Sequence, residues 1–204
     1  DVAQRLGTKL ASLGHEVQLG SRSHDHPSAL AWAEATGGST STFALVAAWG
    51  EIVFNCTSGQ HTLEALRLAG HAALDGKILI DVSNPLDFSN GFPPTLSVCN
   101  SDSLGEQIQR GFPEAKVVKA LNTVANHLMI DPRQIDGPAT LPICGNDAEA
   151  KAKVAAWLSE WFGWRDVLDL GDITNARGTE AWLLLWTRLY GAIGNSNFHL
   201  AIVR

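Results

Sequence analysis

Residues 1–22 read DVAQRLGTKLASLGHEVQLGSR. Val2, Leu6, Leu10 and Leu13 recur at helical spacing, with Ala3 and Gly7 nearby, so one apolar helix face is expected. Gly14 stands where a left-handed residue ends a helix. His15 to Gly20 alternates, with Val17 and Leu19 on one side, and reads as a short strand. Ser21 to Pro27 (SRSHDHP) is a polar loop. A helix, a strand and a polar turn therefore come first, and neither a strand nor a glycine-rich turn stands ahead of the helix.

Downstream, Pro27 suits the first turn of a helix, and Ser28 to Thr36 carries Leu30, Ala31 and Ala35. Gly37 to Thr42 reads as a flexible or turn-like link, and Thr42 to Trp49 as a short helix. Glu51 to Cys56, with its IVF run, reads as a buried parallel strand. Thr57-Ser58-Gly59 is a turn, Thr62 to Ala73 a helix, and Lys77 to Val82 a second buried strand. Ser83 to Pro94 (SNPLDFSNGFPP) is a long loop. Ser103 to Arg110 is a helix, Lys116 to Ala120 a strand, and Asn122 to Met129 a loop or short helix. Thr140 to Cys144 is a strand. Asp147 to Phe162 is an amphipathic helix, with Ala150, Val154, Trp157, Leu158 and Trp161 on one side. Trp164 to Leu168 is a strand, Asn175 to Ile193 a long final helix, and Phe198 to Val203 a strand or a tail.

Strands separated by helices mean a mostly parallel sheet with helices on both faces. The expected fold class is α/β, a Rossmann-like doubly wound sheet in one domain over residues 1–204. Residues 175–204 form a C-terminal helix and tail that could serve as a dimer contact. The first strand of such a sheet has no counterpart here. It would be the central one, where strand order reverses.

Composition narrows the function classes. The chain has 204 residues, 45% of them hydrophobic and 18% charged, as a soluble globular domain does. A net charge of -6 argues against a broad nucleic-acid surface. Cys56, Cys99 and Cys144 are far apart and form no CxxC pair, so a disulfide framework or structural zinc is poorly supported and a reducing, cytoplasmic setting is expected. No signal peptide is visible, and no apolar run reaches the roughly 18 residues of a spanning helix. No metal constellation emerges: His24 and His26 are close, but nothing completes a ligand set.

The residues that could carry chemistry lie at strand ends. In a dinucleotide fold a strand leads through G-x-G-x-x-G/A into a helix. Ala3 could be the third, small position of that turn, with Asp1-Val2-Ala3 as its tail; an ordinary surface helix is the alternative. Gly20-Ser21-Arg22 ends the strand that follows. An acidic residue there accepts from a ribose 2′-hydroxyl, whereas a hydroxyl beside a guanidinium grips a 2′-phosphate. Ser21 and Arg22 thus argue for NADP over NAD, against the alternative of a solvated turn with one arginine. His24 and His26 could add hydrogen bonds, and Asp25 works against phosphate. Cys56-Thr57-Ser58-Gly59 ends the next strand, where backbone N–H groups and hydroxyls can line a ligand crevice. Cys56 itself reads as a small hydrophobe. Asn84-Pro85-Leu86 follows the Lys77–Val82 strand, with Asp81 and Ser83 read as holding the loop through local hydrogen bonds. Lys119-Ala120-Leu121-Asn122-Thr123 ends the strand after that. Asn122 and Thr123 could face a nicotinamide, and His127 reads more readily as structural. Asn146 or Asp147 caps the next helix.

Together these segments resemble the NADP-dependent oxidoreductases typified by the reduced-deazaflavin:NADP oxidoreductases. The resemblance is carried by LGTKLASLGHEVQLGSR, CTSGQHTLEAL, DVSNPL, VVKALNT, ICGNDAEAK and ARGTEAWLLLW, in that order. The cytosolic domains of certain membrane ferric reductases look similar. The resemblance implies hydride transfer between NADP(H) and a second redox carrier, usually an 8-hydroxy-5-deazaflavin. It implies that Ser21 and Arg22 hold the 2′-phosphate, and that Thr57, Ser58 and Gly59 line the pyrophosphate and ribose. Asn84, Pro85 and Leu86 would lie near the nicotinamide and the carrier's ring, with Asn122 and Thr123 bordering the same cleft. No acid–base dyad is needed for direct hydride transfer, and no catalytic residue is assigned. Two other readings are an NADP-dependent reductase of a small carbonyl or imine compound, which a lysine such as Lys119 over the nicotinamide would favour, and a non-catalytic dinucleotide-binding protein. The family's first strand and Gly-x-Gly turn are not matched, so the chain on its own is expected to be a fragment that is unstable or binds NADPH poorly.

Overall fold

The computed structural model describes residues 2–203. Asp1 of the expected glycine-rich turn lies outside the described residues. Helix α1 (Val2–Ser12) is followed by strand β1 (Gln18–Ser21), helix α2 (Pro27–Thr36), strand β2 (Ser39–Thr42), helix α3 (Phe43–Trp49) and strand β3 (Ile52–Asn55). Helices α4 (Thr62–Ala69) and α5 (His71–Leu74) lead to strand β4 (Ile78–Asp81). A small hairpin of β5 (Leu86–Asp87) and β6 (Thr95–Leu96) precedes α6 (Leu104–Gly111) and β7 (Lys116–Lys119). Then come α7 (Asn126–Met129), β8 (Thr140–Gly145), α8 (Ala148–Phe162), β9 (Asp166–Asp169) and α9 (Ala176–Ile193).

Strands β3-β4-β7-β8-β9 form one sheet, in that order, and β1-β2 form a separate parallel pair. β3, β4 and β7 run parallel, whereas β8 pairs antiparallel with β7 and parallel with β9. Side chains alternate across this sheet as strand geometry requires. Ile80, Val118 and Ile143 pack with Leu6 and Leu10 of α1 and Val154 and Leu158 of α8, while Leu79, Val117 and Cys144 pack with α4, α6 and the start of α9. Each of these buried aliphatic side chains contributes about 1.5–3 kcal/mol. Helices on both faces of a mostly parallel sheet make this the doubly wound α/β architecture that the sequence predicts.

Two elements depart from the expectation, and a third settles between the two readings it was given. Gly37–Thr42 is no mere link, since Ser39–Thr42 is a parallel strand beside β1, with Gln18 opposite Ser39 and Ser21 opposite Thr42. Gly38 permits this approach: a Cβ there would meet the Trp32 ring at 2.4 Å and the Val17 carbonyl at 3.1 Å. The expected Ser83–Pro94 loop contains β5, paired antiparallel with β6. Of the two readings of Phe198–Val203, the tail is the one the structure has. It is tied to the start of β8, where Thr140 N–H donates to the Leu200 carbonyl (3.0 Å) and Ile202 N–H to Thr140 Oγ1 (3.1 Å).

The tail carries a pH-sensitive contact. His199 Nε2 donates to the Thr140 carbonyl (3.0 Å) and the ring packs edge-on against buried Trp164. Its Nδ1 is buried and has no hydrogen-bond partner among the described residues. Burial therefore pulls the imidazole pKa down to about 4. The unfolded histidine takes up its proton near its ordinary value of about 6.5. The stabilisation is thus complete above that value and is lost as pH falls from there through the folded pKa, by about 3 kcal/mol. Denaturant titrations at intervals from about pH 7 to pH 4 should show this slope, and a His199→Gln variant should flatten it.

Candidate functional site

The carboxyl ends of the parallel strands gather the candidate residues. β1 and β3 do not pair with each other, and a cleft of about 750 Å³ lies between them. Its walls are Leu6 and Leu10 of α1, Val17, Leu19, Ile52 and Phe54, and its lining includes Ala3, Ser21, Arg22, Asn55 and Thr57. Gly20 lets β1 sit against α3, because a Cβ there would stand 3.1 Å from the Phe43 ring. Ser21 is nearly buried, and its hydroxyl donates to the Ser23 carbonyl. Arg22 is exposed, and its side chain makes no hydrogen bond or ion pair among the described residues. Asp25 is exposed and stays ionised, its carboxyl held below the usual range first by the Ser23 hydroxyl.

The next turn is defined by close packing. Ser58 is exposed, and a Cβ on Gly59 would fall 1.9 Å from the Asn84 carbonyl oxygen and 3.0 Å from Pro85 Cα. Only glycine lets the two strand-end loops touch backbone to backbone. Thr57 Oγ1 donates to Asn55 Oδ1 (2.6 Å) and lies 2.9 Å from Thr62 Oγ1, so this hydroxyl shapes the turn. Cys56 is half-buried, and desolvation, with the Asp81 carboxylate, raises its thiol to about 12. It packs as a small hydrophobe rather than as a thiolate.

Asn84 and Asn122 lock the following loops together. Asn84 Nδ2 donates to the Asn122 carbonyl (2.8 Å), and Asn122 Nδ2 to Asn84 Oδ1 (2.9 Å). Asn122 and Thr123 are 2% and 1% exposed, so their side chains sit behind the edge rather than on it. Pro85 is buried and Leu86 half-buried. Leu121 reaches this geometry at φ 63°, an unusual left-handed conformation for leucine. Trp182 Nε1 donates to the Thr123 carbonyl (3.0 Å) and so ties α9 to this loop. His127 bonds Asn197 Oδ1 through Nε2 (2.8 Å), a contact to the tail. Asp147 caps α8 by accepting from Ala150 N–H (2.8 Å), while Asn146 Oδ1 accepts from Ile173 N–H (3.1 Å).

Beneath the edge lies a buried ionic network that the sequence only half discloses. Lys119 Nζ donates to Asp81 Oδ2, to the Ser83 carbonyl and to Glu180 Oε1, each at 2.7 Å. Asp81 Oδ1 accepts from Asn55 Nδ2 (2.8 Å), Ser83 N–H (3.1 Å) and Ser83 Oγ (2.7 Å). Glu180 accepts from the Leu104 and Gly105 N–H groups at the start of α6 (2.8 and 2.9 Å). Burial works against the Lys119 ammonium, but the Asp81 and Glu180 carboxylates outweigh it and hold its pKa above the ordinary lysine value. Removing one member of such a buried set strands the remaining charges, at a cost of about 3–5 kcal/mol. Neither Glu180 nor Asn55 stands out in the sequence as a functional residue. The available signal for Glu180 is a carboxylate on a helix between Ala176 and Leu183, on the face that packs inward.

Comparisons with known proteins bear on what this edge is for. Residues 1–85 match the family model described as NADP oxidoreductase, coenzyme F420-dependent. A presumed F420-dependent NADP reductase from Arthrobacter sp. FB24 is 48% identical, with a TM-score of 0.95 over 100% of this chain and 95% of that one. The metalloreductase STEAP3 of Rattus norvegicus is 32% identical over 184 residues, which are 89% of this chain and 34% of that protein. The chain thus spans about a third of the length of that curated relative. An imine reductase from Myxococcus stipitatus, solved with NADP+, shares the fold at 17% identity and a TM-score of 0.62, over 94% of this chain and 59% of that one. No helix among the described residues is long and apolar enough to cross a membrane. With near-complete coverage at close to half identity, the chain belongs to the family of coenzyme-F420-dependent NADP oxidoreductases.

Proposed function

We propose that the chain is the dinucleotide-binding part of an enzyme that passes hydride between NADP(H) and a second redox carrier, with an 8-hydroxy-5-deazaflavin as the favoured carrier. The observation that carries the choice of cofactor is the exposed Arg22 guanidinium beside Ser21, at the mouth of the cleft that Ala3 and Thr57 also line. A charged fork next to a hydroxyl suits a phosphate monoester. The close backbone contact of Gly59 with Asn84 fixes the two strand-end loops against each other beside Thr57, which lines the cleft, and this supports placing the pyrophosphate and ribose there. When bound, NADPH would supply the hydride. The protein's part is to hold the 2′-phosphate at Ser21 and Arg22, to run the diphosphate past Thr57, Ser58 and Gly59, and to seat the ring against Asn84, Pro85 and Leu86.

The Lys119 geometry disfavours reduction of a carbonyl or imine by a lysine at this edge. Its ammonium is 0% exposed and is already bonded to Asp81, Ser83 and Glu180. Exposed Leu185, Tyr190 and Ile193 on α9 support the reading of that helix as a face for a second copy. The three unpaired cysteines fit a cytoplasmic setting.

The reading includes a further strand. β1 and β3 each present an unpaired edge to the cleft, and the cleft wall is apolar on both sides. A parallel strand there would join the two sheets, cover those edges and bring a glycine-rich turn to the start of α1. Extending the chain upstream by such a segment is expected to raise both the melting temperature and the NADPH affinity. The function is tested by following NADPH oxidation by the full-length protein with a deazaflavin, a flavin and ferric chelates. Turnover with the deazaflavin supports the proposal, turnover with ferric chelate alone reassigns the carrier, and tight NADPH binding with no turnover overturns the enzyme.

A further inference from the structure

The buried network reaches further than support of the fold. It runs without a break from the turn at Thr57, through Asn55 and Asp81, to Lys119, and on through Glu180 to the first N–H groups of α6. Lys119 is the branch point. One of its three bonds goes to a backbone atom, the Ser83 carbonyl, one residue before the Asn84 that locks onto Asn122 and touches Gly59. Ser83 is held from its other side by Asp81, which accepts from both its N–H and its hydroxyl. The Ser83–Pro85 segment is therefore fixed by charged groups at one end and by the Asn84–Asn122 pair at the other. Ser21 and Arg22 have no bond into this network.

We propose that Lys119, clamped between Asp81 and Glu180, is a positioning residue that fixes the Ser83–Asn84–Pro85 segment as the seat of the dihydronicotinamide ring, and that Glu180 makes this seat depend on where α9 sits. This rests on the reading of the site as an NADP(H) site. The network acts on the ring end of the cofactor and leaves the 2′-phosphate end alone. Loosening it lets the ring move without releasing the cofactor. Small displacements of a reacting ring slow hydride transfer steeply.

The test uses the full-length protein with NADPH as the probe. Three quantities are measured: the dissociation constant, the fluorescence anisotropy of the bound dihydronicotinamide at saturation, and the rate of hydride transfer from NADPH to an added 8-hydroxy-5-deazaflavin, which is reduced as NADPH is oxidised, in a single turnover at saturation. Lys119→Met removes the branch point. Should it fail to fold, Glu180→Gln, which leaves the Lys119–Asp81 pair in place, decides the matter. The expected result is a dissociation constant within about threefold of the parent, a clear fall in anisotropy, and hydride transfer slower by about tenfold or more. Arg22→Ala, at the other end of the cofactor, should instead weaken NADPH binding while the bound ring keeps its anisotropy. Retention of full anisotropy and rate in Glu180→Gln overturns the proposal, as does a rise in dissociation constant with the ring still immobilised. If the parent protein itself does not bind NADPH, the reading of the site fails and this inference fails with it. If the parent binds NADPH with its ring immobilised and the variant does too, only this inference fails.

Discussion

Replacing Gly59 with alanine is expected to destabilise the protein by about 3–4 kcal/mol and to remove NADPH binding. The added methyl group would fall 1.9 Å from the Asn84 carbonyl oxygen and 2.6 Å from its carbon, both backbone atoms. No rotamer change relieves such an overlap. The β3–α4 turn must separate from the loop after β4, or one of them must leave its place. Either movement pulls on Asn84, whose side chain holds Asn122, and on Thr57, whose hydroxyl holds Asn55. The same substitution at an unconfined glycine such as Gly111, where no atom lies within 4 Å of an added Cβ, provides the control. Thermal melts should show a drop of about 10 °C for Gly59→Ala and little change for Gly111→Ala. A Gly59→Ala protein that melts with the parent and binds NADPH normally would show that the two loops are not in contact.

The second large effect concerns cofactor choice. Arg22→Ala should weaken NADPH binding by about 10- to 100-fold, the loss of a charge-assisted contact worth about 1.5–3 kcal/mol. NADH lacks the 2′-phosphate, so its affinity should stay within about twofold. The stability of the fold should not change, since the Arg22 side chain is exposed and bonds to nothing among the described residues. Titration of the full-length protein with both cofactors at low and high salt gives the answer. The difference between parent and variant should shrink with added salt, as expected for an exposed charge. Equal losses for NADPH and NADH would remove Arg22 from the 2′-phosphate site. Asp25, ionised three residues beyond Arg22, would oppose a phosphate held there.

The two variants probe different levels of organisation, and they differ in how visible they are in sequence. The placing of Arg22 at a strand exit is legible because it is set locally. A short apolar alternation ends at Gly20, so the next two residues must stand at the strand's exit, and their chemistry can be read from their side chains. The same holds for the cap read at Asn146 or Asp147, which falls to Asp147, and for Pro27 at the first turn of α2. In each case, neighbours within about one helical turn or one strand decide the outcome.

Gly59, β2 and Glu180 belong to the other kind. A glycine in a turn is expected for many reasons, and only the approach of Asn84, 25 residues later, shows why this one tolerates no side chain. Ser39–Thr42 has no apolar pattern of its own and becomes a strand because β1 lies beside it. The direction of β8 against β7 depends on the path of the chain between them, which no local period encodes. Glu180 gains its role only when α9 packs against the start of α6 and above Lys119. By itself, then, the sequence determined the order and kind of most elements and the α/β class. Those follow from short-range periodicity, turn chemistry and side-chain charge. Tertiary structure alone decided which strand ends touch, which buried charges meet and which loop leans on which glycine, because such contacts join residues tens of positions apart and exist only once the sheet has assembled.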